Sequence, residues 1–102
     1  MTTTSLVLAA PRRLEPRLLS LPSIGDDDGL LLVEACGLCG TDHEQYTGML
    51  WPGEPFIPGH ESVGIVERAG DRARQRWGVD VGDRVAVEVF QRCGRCGPCA
   101  DG

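Results

Sequence analysis

Short apolar runs separated by turn-forming residues give this chain of 102 residues its pattern. Apolar runs of strand length, bounded by glycine, proline or aspartate, are typical of β-strands. Such runs predict strands over residues 5–10, 30–35, 62–68 and 84–90. In the last run Val85, Val87 and Val89 share one face at the two-residue period, which predicts a half-buried strand.

The segments between these runs predict turns and loops. Residues 26–29 form an acidic turn, residues 51–58 a proline-rich loop, and residues 81–84 a tight turn into the last strand. Fourteen glycines and seven prolines divide the chain into short elements. We therefore predict a mainly β fold and one domain over residues 1–102, a length that buries a modest core.

Two segments depart from the strand pattern. Thr41 and Glu44 have the T-x-x-E spacing of a capping box, which predicts a short helix that ends near Gly48. This helix would place Cys39 at a strand-to-helix corner. Residues 71–77 carry three arginines and predict an exposed loop or a short helical turn.

The five cysteines stand beside glycines at the spacing of metal ligands. Cys36 and Cys39 form one C-x-x-C pair, and Cys93, Cys96 and Cys99 form two successive steps. Thiolate and imidazole are ligands that Zn²⁺ prefers, so these cysteines and His60 indicate zinc binding. Three sulfurs leave a tetrahedral site incomplete, and no cysteine or histidine follows Cys99.

Charge and composition exclude several classes of partner. The net charge of −5 and the isoelectric point near 4.8 argue against binding to nucleic acid or to an anionic membrane. The N-terminal basic residues follow the apolar stretch, whereas a secretory signal has the reverse order. No apolar run approaches the roughly 18 residues of a membrane span. We expect a soluble, cytoplasmic protein whose odd number of cysteines stays reduced.

Four motifs in order resemble the zinc-dependent medium-chain alcohol and polyol dehydrogenases across roughly residues 5–102. The first is Cys36-Gly-Leu-Cys39-Gly-Thr-Asp42, and the second is Gly59-His60-Glu61-Ser-Val-Gly-Ile-Val66. The third is Val81-Gly-Asp-Arg-Val85, and the lobe with Cys93, Cys96 and Cys99, beginning about residue 91, is the fourth. Any one motif is weak, but four in sequence make coincidence improbable.

The resemblance implies a GroES-like, partly open β-barrel with short helices and a zinc-binding lobe. It implies that Cys39 and His60 are ligands of a catalytic zinc, with Glu61 a nearby or exchangeable carboxylate. It further implies that Thr41 passes the substrate proton and that Asp42 holds the ligating histidine in one tautomer. These residues also have a plainer interpretation, in which Thr41 is a helix cap and Asp42 a first-turn carboxylate favoured by the helix dipole. Cys36 is expected to be a small buried hydrophobe.

The same likeness implies that Cys93, Cys96 and Cys99 are three of four structural zinc ligands, the fourth lying beyond Gly102. The implied reaction is oxidation of an alcohol, polyol or sugar hydroxyl with hydride transfer to NAD(P). His43 and Glu44 differ from many relatives and favour a polyol or sugar weakly. No G-x-G-x-x-G motif occurs, so the NAD(P)-binding Rossmann domain is absent from these residues and the chain should be inactive alone. A homo-oligomer is left open for a full-length chain.

Two other functions fit some of the same residues. Cys36, Cys39, Cys93 and Cys96 could meet in a Cys₄ ribbon, which would make the chain a zinc-binding interaction module without catalysis. Ribbon pairs are usually about 15–20 residues apart, much closer than Cys39 and Cys93 are here. A thiol redox protein using Cys36 and Cys39 lacks the βαβ context of that class.

Overall fold

A β-hairpin and a three-stranded antiparallel sheet form most of the fold. The computed structural model describes all residues from Met1 to Gly102. Strands β1 (Thr2–Ala10) and β2 (Arg13–Ser20) pair antiparallel as the hairpin. Strands β3 (Gly29–Gly37), β4 (Glu61–Ala69) and β5 (Arg84–Ala86) form the sheet, in the order β3-β4-β5. The mainly β fold with short helices that is expected from the sequence is confirmed.

Three short helices lie between and after the strands. They are α1 (Gly40–Thr47), α2 (Asp71–Trp77) and α3 (Gly97–Asp101). Helix α1 ends at Gly48, whose φ of 99° is the left-handed conformation in which glycine costs least. Helix α2 occupies the arginine-rich segment, so the helical alternative for residues 71–77 is the correct one.

The hairpin is joined to the rest of the molecule at two places. Leu8 pairs with Phe56 through two backbone hydrogen bonds of 2.8 and 3.3 Å. At the hairpin tip, the N–H of Arg12 donates to the carbonyl of Tyr46 at 2.6 Å, which satisfies one of the free carbonyls at the end of α1. The hairpin therefore contacts both the helix after the cysteine motif and the loop before the histidine motif.

Very little of the chain is buried. Only 5 of 102 residues fall in this class, and the buried apolar side chains are Val7, Leu8, Val66 and Ala73. Leu8 is the largest fully buried side chain, at 1% exposure. No helix of the structure is both long and apolar enough to cross a membrane.

Some sequence expectations for the strands are wrong. The strand expected over residues 84–90 ends at Ala86, and its last hydrogen bond to β4 runs from the Val87 N–H to the Ser62 carbonyl at 3.0 Å. Strand β2 was not expected, since Pro16 interrupts a segment rich in charge. Its pairing with β1 lets it form as an edge strand.

Two expectations around α1 are also wrong. The capping residues are Cys39 and Asp42 and not Thr41 and Glu44, because the helix begins at Gly40. Cys36 is exposed and not buried, and the hydroxyl of Ser62 on β4 donates to its sulfur at 3.6 Å.

Candidate functional site

The strand-to-helix corner after β3 sets the position of Cys39. The residue has extended backbone angles, φ −131° and ψ −178°, and occupies the N-cap of α1. Asp42 stands three residues later, where its Oδ2 accepts a hydrogen bond from the Cys39 N–H at 2.9 Å. This side chain therefore satisfies a backbone donor that the chain leaves free at the corner. The corner turns the Cys39 thiol toward the start of β4.

His60 reaches the same place from the neighbouring strand, because Glu61 at the start of β4 pairs with Gly37 at the end of β3. It follows Gly59, whose φ of 119° is a conformation that other residues rarely adopt, and it precedes β4 directly. The His60 Nε2 lies 3.2 Å from the Cys39 Sγ, and the Nδ1 lies 3.6 Å from the Asp42 Oδ1. The imidazole is thus held between a sulfur and a carboxylate.

The donor atoms of this group suit a zinc ion. Ligand atoms of Cys39, Asp42 and His60 all lie within 4.8 Å of one another. Zinc binds sulfur at about 2.3 Å and nitrogen at about 2.0–2.1 Å in tetrahedral geometry, which separates the two ligand atoms by roughly 3.5 Å. The observed 3.2 Å is close to that value. The Asp42 carboxylate faces Nδ1, the nitrogen turned away from the sulfur, where it orients the ring.

Two residues proposed for this site from the sequence lie outside the group. Glu61 begins β4 as an exposed residue, and its carboxylate lies against Gly37 on the neighbouring strand. Thr41 is exposed in the first turn of α1, and its hydroxyl makes no hydrogen bond. The structure therefore brings together Cys39, Asp42 and His60 and leaves Thr41 and Glu61 at the edge.

A second group forms in the C-terminal lobe. The sulfur of Cys99 lies 3.3 Å from that of Cys96 and 3.7 Å from that of Cys93. Backbone N–H groups of Arg95 and Cys96 lower the pKa of the Cys93 thiol to about 7, with further contributions from the Cys96 and Cys99 side chains. Three converging sulfurs with one thiolate available near neutral pH suit a thiophilic metal ion.

The structure disagrees with the Cys₄ ribbon. Among groups of three or more metal-ligating side chains, one contains Cys39 and the other contains Cys93 and Cys96. Cys36 belongs to neither group. The two C-x-x-C motifs therefore do not meet in one site.

A cleft of about 670 Å³ adjoins the first group, and Cys39 and Asp42 are part of its wall. Most of its lining is apolar, and Leu38 and Ile57 contribute to it. His43, which had no expected role, also lies in this wall. No sequence motif predicts this lining, because its residues come from the hairpin, β3, α1 and the loop before His60.

Comparisons with known proteins agree with this arrangement. Residues 25–102 match the family described as the alcohol dehydrogenase GroES-like domain. A protein of Mycobacterium tuberculosis (strain ATCC 25618 / H37Rv), named a probable alcohol dehydrogenase, is 65% identical over 98 residues, which are 96% of this chain and 27% of that protein. The sorbitol dehydrogenase of Bacillus subtilis (strain 168) is 39% identical over 100 residues, covering 94% of this chain and 28% of the relative.

Solved structures share the fold. The cobalt- and zinc-bound thermostable alcohol dehydrogenase of Pyrobaculum aerophilum superposes with a TM-score of 0.86 at 28% identity. The match covers 100% of this chain and 31% of that one. The chain thus spans between about a quarter and a third of the length of these relatives.

Proposed function

Because the chain belongs to the family of alcohol dehydrogenase GroES-like domains, we propose that it forms the catalytic metal site of a zinc-dependent dehydrogenase. The domain spans residues 1–102, and the lobe from about residue 91 is its second, structural zinc site. The reaction is oxidation of an alcohol, polyol or sugar hydroxyl, with the hydride passing to NAD(P). The coenzyme is bound by a Rossmann domain outside these residues, so the chain needs that domain for turnover.

The observation that carries this proposal is the contact of 3.2 Å between the Cys39 Sγ and the His60 Nε2, with Asp42 behind the ring. Cys39 and His60 would hold the zinc, which supplies Lewis acidity that lowers the pKa of a bound hydroxyl. The remaining ligands come from outside this group, and Glu61 is close enough in sequence to exchange into it. Cys39 lies at the N-cap of α1 and His60 lies directly before β4, so separate elements position the two ligands.

The other residues of the site bind, orient and move a proton. Asp42 keeps the His60 ring in the orientation that presents Nε2. The exposed hydroxyl of Thr41 takes the proton of the substrate hydroxyl and passes it toward solvent. The apolar wall with Leu38 and Ile57 excludes water from one side of the site.

The cysteines, the net charge and the exposed apolar surface favour a particular compartment and class of partner. All five cysteines are free, which suits a reducing cytoplasm. The partner is a small molecule, and the net charge of −5 disfavours nucleic acid and anionic membranes. A homo-oligomer of the full-length protein is compatible with the large exposed apolar surface.

Metal content tests the proposal. In the full-length protein, Cys39→Ser and His60→Gln should each lower bound zinc from two ions per chain to one. Cys36→Ser is the matched control, since it removes an exposed thiol three residues away, and it should leave both ions bound. Native mass spectrometry measures the stoichiometry. Loss of zinc in Cys36→Ser with full retention in His60→Gln would instead support the interaction module.

A kinetic measurement tests the proton path. Thr41→Val in the full-length enzyme should lower kcat by about 10²-fold or more, because general acid–base groups contribute roughly 10²–10⁴-fold. Thr41→Ser keeps the hydroxyl and should restore most of the rate. Equal activity of the valine and serine variants would remove Thr41 from the mechanism.

A further inference from the structure

We infer that the free edge of β5 pairs with β5 of a second copy of this chain. The three strands of each copy would then join antiparallel into one continuous sheet, with a two-fold axis between the two β5 strands. This interface lies outside the metal site and does not depend on the proposed function. The peptide groups at the edge, the spacing of its charges and the apolar groove beside it all fit a second copy.

The peptide groups of β5 alternate between β4 and the free edge. The Val87 N–H donates to the Ser62 carbonyl on β4 at 3.0 Å. Because this direction alternates with every residue of an antiparallel pair, Arg84 and Ala86 turn their N–H and C=O groups away from β4. No helix or loop of the chain forms backbone hydrogen bonds with these groups. A row of unpaired groups of this kind is a template for another strand.

The strand pattern of the sequence continues beyond the end of β5. Val85, Val87 and Val89 recur at the two-residue period, yet the strand ends at Ala86. Val87 and Val89 are each about half exposed, at 50% and 49%. A second strand on the free edge supplies hydrogen bonds that β4 does not, so it lets β5 extend through Glu88.

Two opposite charges are placed symmetrically about Ala86. Arg84 precedes this residue by two positions, and Glu88 follows it by two positions. When two β5 strands pair antiparallel with Ala86 on the axis, Arg84 of one copy lies directly opposite Glu88 of the other, and the pair occurs twice. Opposite charges at such positions stabilise a sheet, whereas like charges destabilise it.

The same charges select one register. A pairing centred on Arg84 would place two arginines opposite each other, and a pairing centred on Glu88 would do the same with two glutamates. The pairing centred on Ala86 avoids both, and this small side chain leaves room for its counterpart at the axis. The edge is therefore complementary to itself in a single register.

Both charged side chains are accessible to a second copy. Glu88 is exposed and takes part in none of the ion pairs of the chain. Arg84 donates to Glu34 on β3 through Nε and Nη2, at 2.9 and 3.1 Å, and its side chain is 71% exposed. An exposed ion pair of this kind is weak, so Glu88 of the second copy can share or replace the contact with Glu34.

An apolar groove of about 430 Å³ lies along the same edge. Its lining includes Val85, Val87 and Trp77, and Trp77 is 51% exposed. In the register centred on Ala86, Val85 of one copy lies opposite Val87 of the other, which extends the apolar face across the axis. The second copy therefore covers side chains that a single chain leaves in water.

Other free edges of the fold suit a second copy less well. Strand β2 contains Pro16, which has no N–H to donate. Strand β3 has irregular pairing between Leu30 and Leu31 and again between Val33 and Ala35, and such bulges disturb the row of groups at an edge. These features leave β5 as the edge for a second copy.

Sedimentation equilibrium of the chain of 102 residues, under reducing conditions, tests the interface. We expect association that stops at a dimer, with twice the chain mass of 11.0 kDa. Glu88→Arg and Arg84→Glu should each raise the dissociation constant of the dimer at least about tenfold, because like charges then face each other twice. Glu67→Arg is the matched control, since it makes the same change of charge on an exposed residue of β4 outside the pairing with β5.

An equimolar mixture of the two edge variants tests the register. Arg84→Glu has acidic groups at both positions and Glu88→Arg has basic groups at both, so the two variants face each other with opposite charges. The mixture should form a dimer at concentrations at which each variant alone is monomeric. In the parent chain, hydrogen exchange of the Ala86 amide should slow as the concentration rises, because this amide is bonded only in the dimer.

Several results would overturn the inference. They are a parent chain that stays monomeric up to about 1 mM, association that continues beyond a dimer, and a mixture that associates no better than the single variants. A monomer whose Ala86 amide is protected at every concentration would assign the edge to another segment of the same chain. If Arg84→Glu does not fold after losing its contact with Glu34, the comparison of Glu88→Arg with Glu67→Arg decides.

Discussion

Cys36 and Cys39 show that the position of a thiol in the local backbone decides whether it can bind metal. Cys39 and Cys36 differ by only three positions, yet Cys39 caps a helix beside His60, whereas Cys36 is exposed on β3 and accepts a hydrogen bond from Ser62. The lobe adds a third environment, in which backbone N–H groups surround Cys93. Chemistry therefore follows the local backbone and not the C-x-x-C spacing alone.

The Cys93 thiol should show this in its pH dependence. In the metal-free protein, alkylation of Cys93 by iodoacetamide should rise with a midpoint near pH 7, because the folded state favours the thiolate. Unfolding in urea should return the midpoint toward the ordinary thiol range, about 8.5. Peptide mass spectrometry with time points measures the rate at each pH.

The lowered pKa of Cys93 also makes the stability of the fold depend on pH. The folded pKa of Cys93 is lower than the unfolded pKa, so the thiolate stabilises the fold above the unfolded value. That contribution is lost as the pH falls through about 7. An alkylation midpoint that is identical in buffer and in urea would contradict the backbone interactions described for Cys93.

Elements are held together here by backbone contacts more than by side-chain packing. The turn at residues 26–28 holds α2: the Ala73 N–H donates to the Asp26 carbonyl at 2.8 Å, and the Gly70 N–H to the Asp28 carbonyl at 3.0 Å. The guanidinium of Arg72 donates to the Asp27 carboxylate and lowers the pKa of that group. The helix therefore stays in place although Ala73 is its only buried residue.

The pairing of β3 with β4 depends on a glycine. A Cβ at Gly64 would overlap the carbonyl of Leu32, so Gly64→Ala should lower the free energy of unfolding by about 1–3 kcal/mol. Gly97→Ala is the control, since nothing lies within 4 Å of its added Cβ. Urea denaturation of both variants measures the difference. Equal stability of the two would show that the strands separate at little cost.

The sequence predicts this part of the fold unevenly. Strands β3 and β4 were predicted closely because β-branched and other apolar residues cluster in both between turn-forming segments, and the corner at Cys39 followed from the spacing of its motif. The start of α1 was misplaced because Thr41 is a favoured N-cap residue, whereas Cys39, which occupies the N-cap, is not. The distance from Cys39 to His60 was accessible only through the family resemblance, since it depends on how two elements pack.

The whole molecule exposes far more apolar surface than a stable monomer usually does. Large hydrophobic side chains with at least about a third of their surface exposed include Leu38 at 85%, Met49 at 75% and Phe90 at 74%. Burying such side chains is the main favourable contribution to folding and association. The cleft beside Cys39 and a second apolar groove, near Trp77, lie within this surface.

The isolated chain of 102 residues should therefore bind a hydrophobic dye such as ANS and associate as its concentration rises. Replacing Leu38 and Phe90 with lysine should reduce both effects, whereas Thr2→Lys, which changes an exposed polar residue, should not. Analytical ultracentrifugation with ANS fluorescence measures them together. A monomeric chain with no dye binding at every concentration would contradict the exposed surface.

The bridge between Leu8 and Phe56 has a consequence for the order of folding. The hairpin of β1 and β2 closes locally, but the bridge joins residues about fifty positions apart and so carries a larger loop-closure entropy. We therefore expect the loop before His60 to become ordered only after the hairpin has formed, because its bridge to Leu8 requires a folded β1. Because Leu8 directs its own N–H and carbonyl to Phe56, the neighbouring pair of Val7 and Glu15 carries the hydrogen bonds of the hairpin. Pulse-labelling hydrogen exchange would then protect the Glu15 amide before that of Phe56, and removal of the first ten residues would leave the loop before His60 without its bridge to β1.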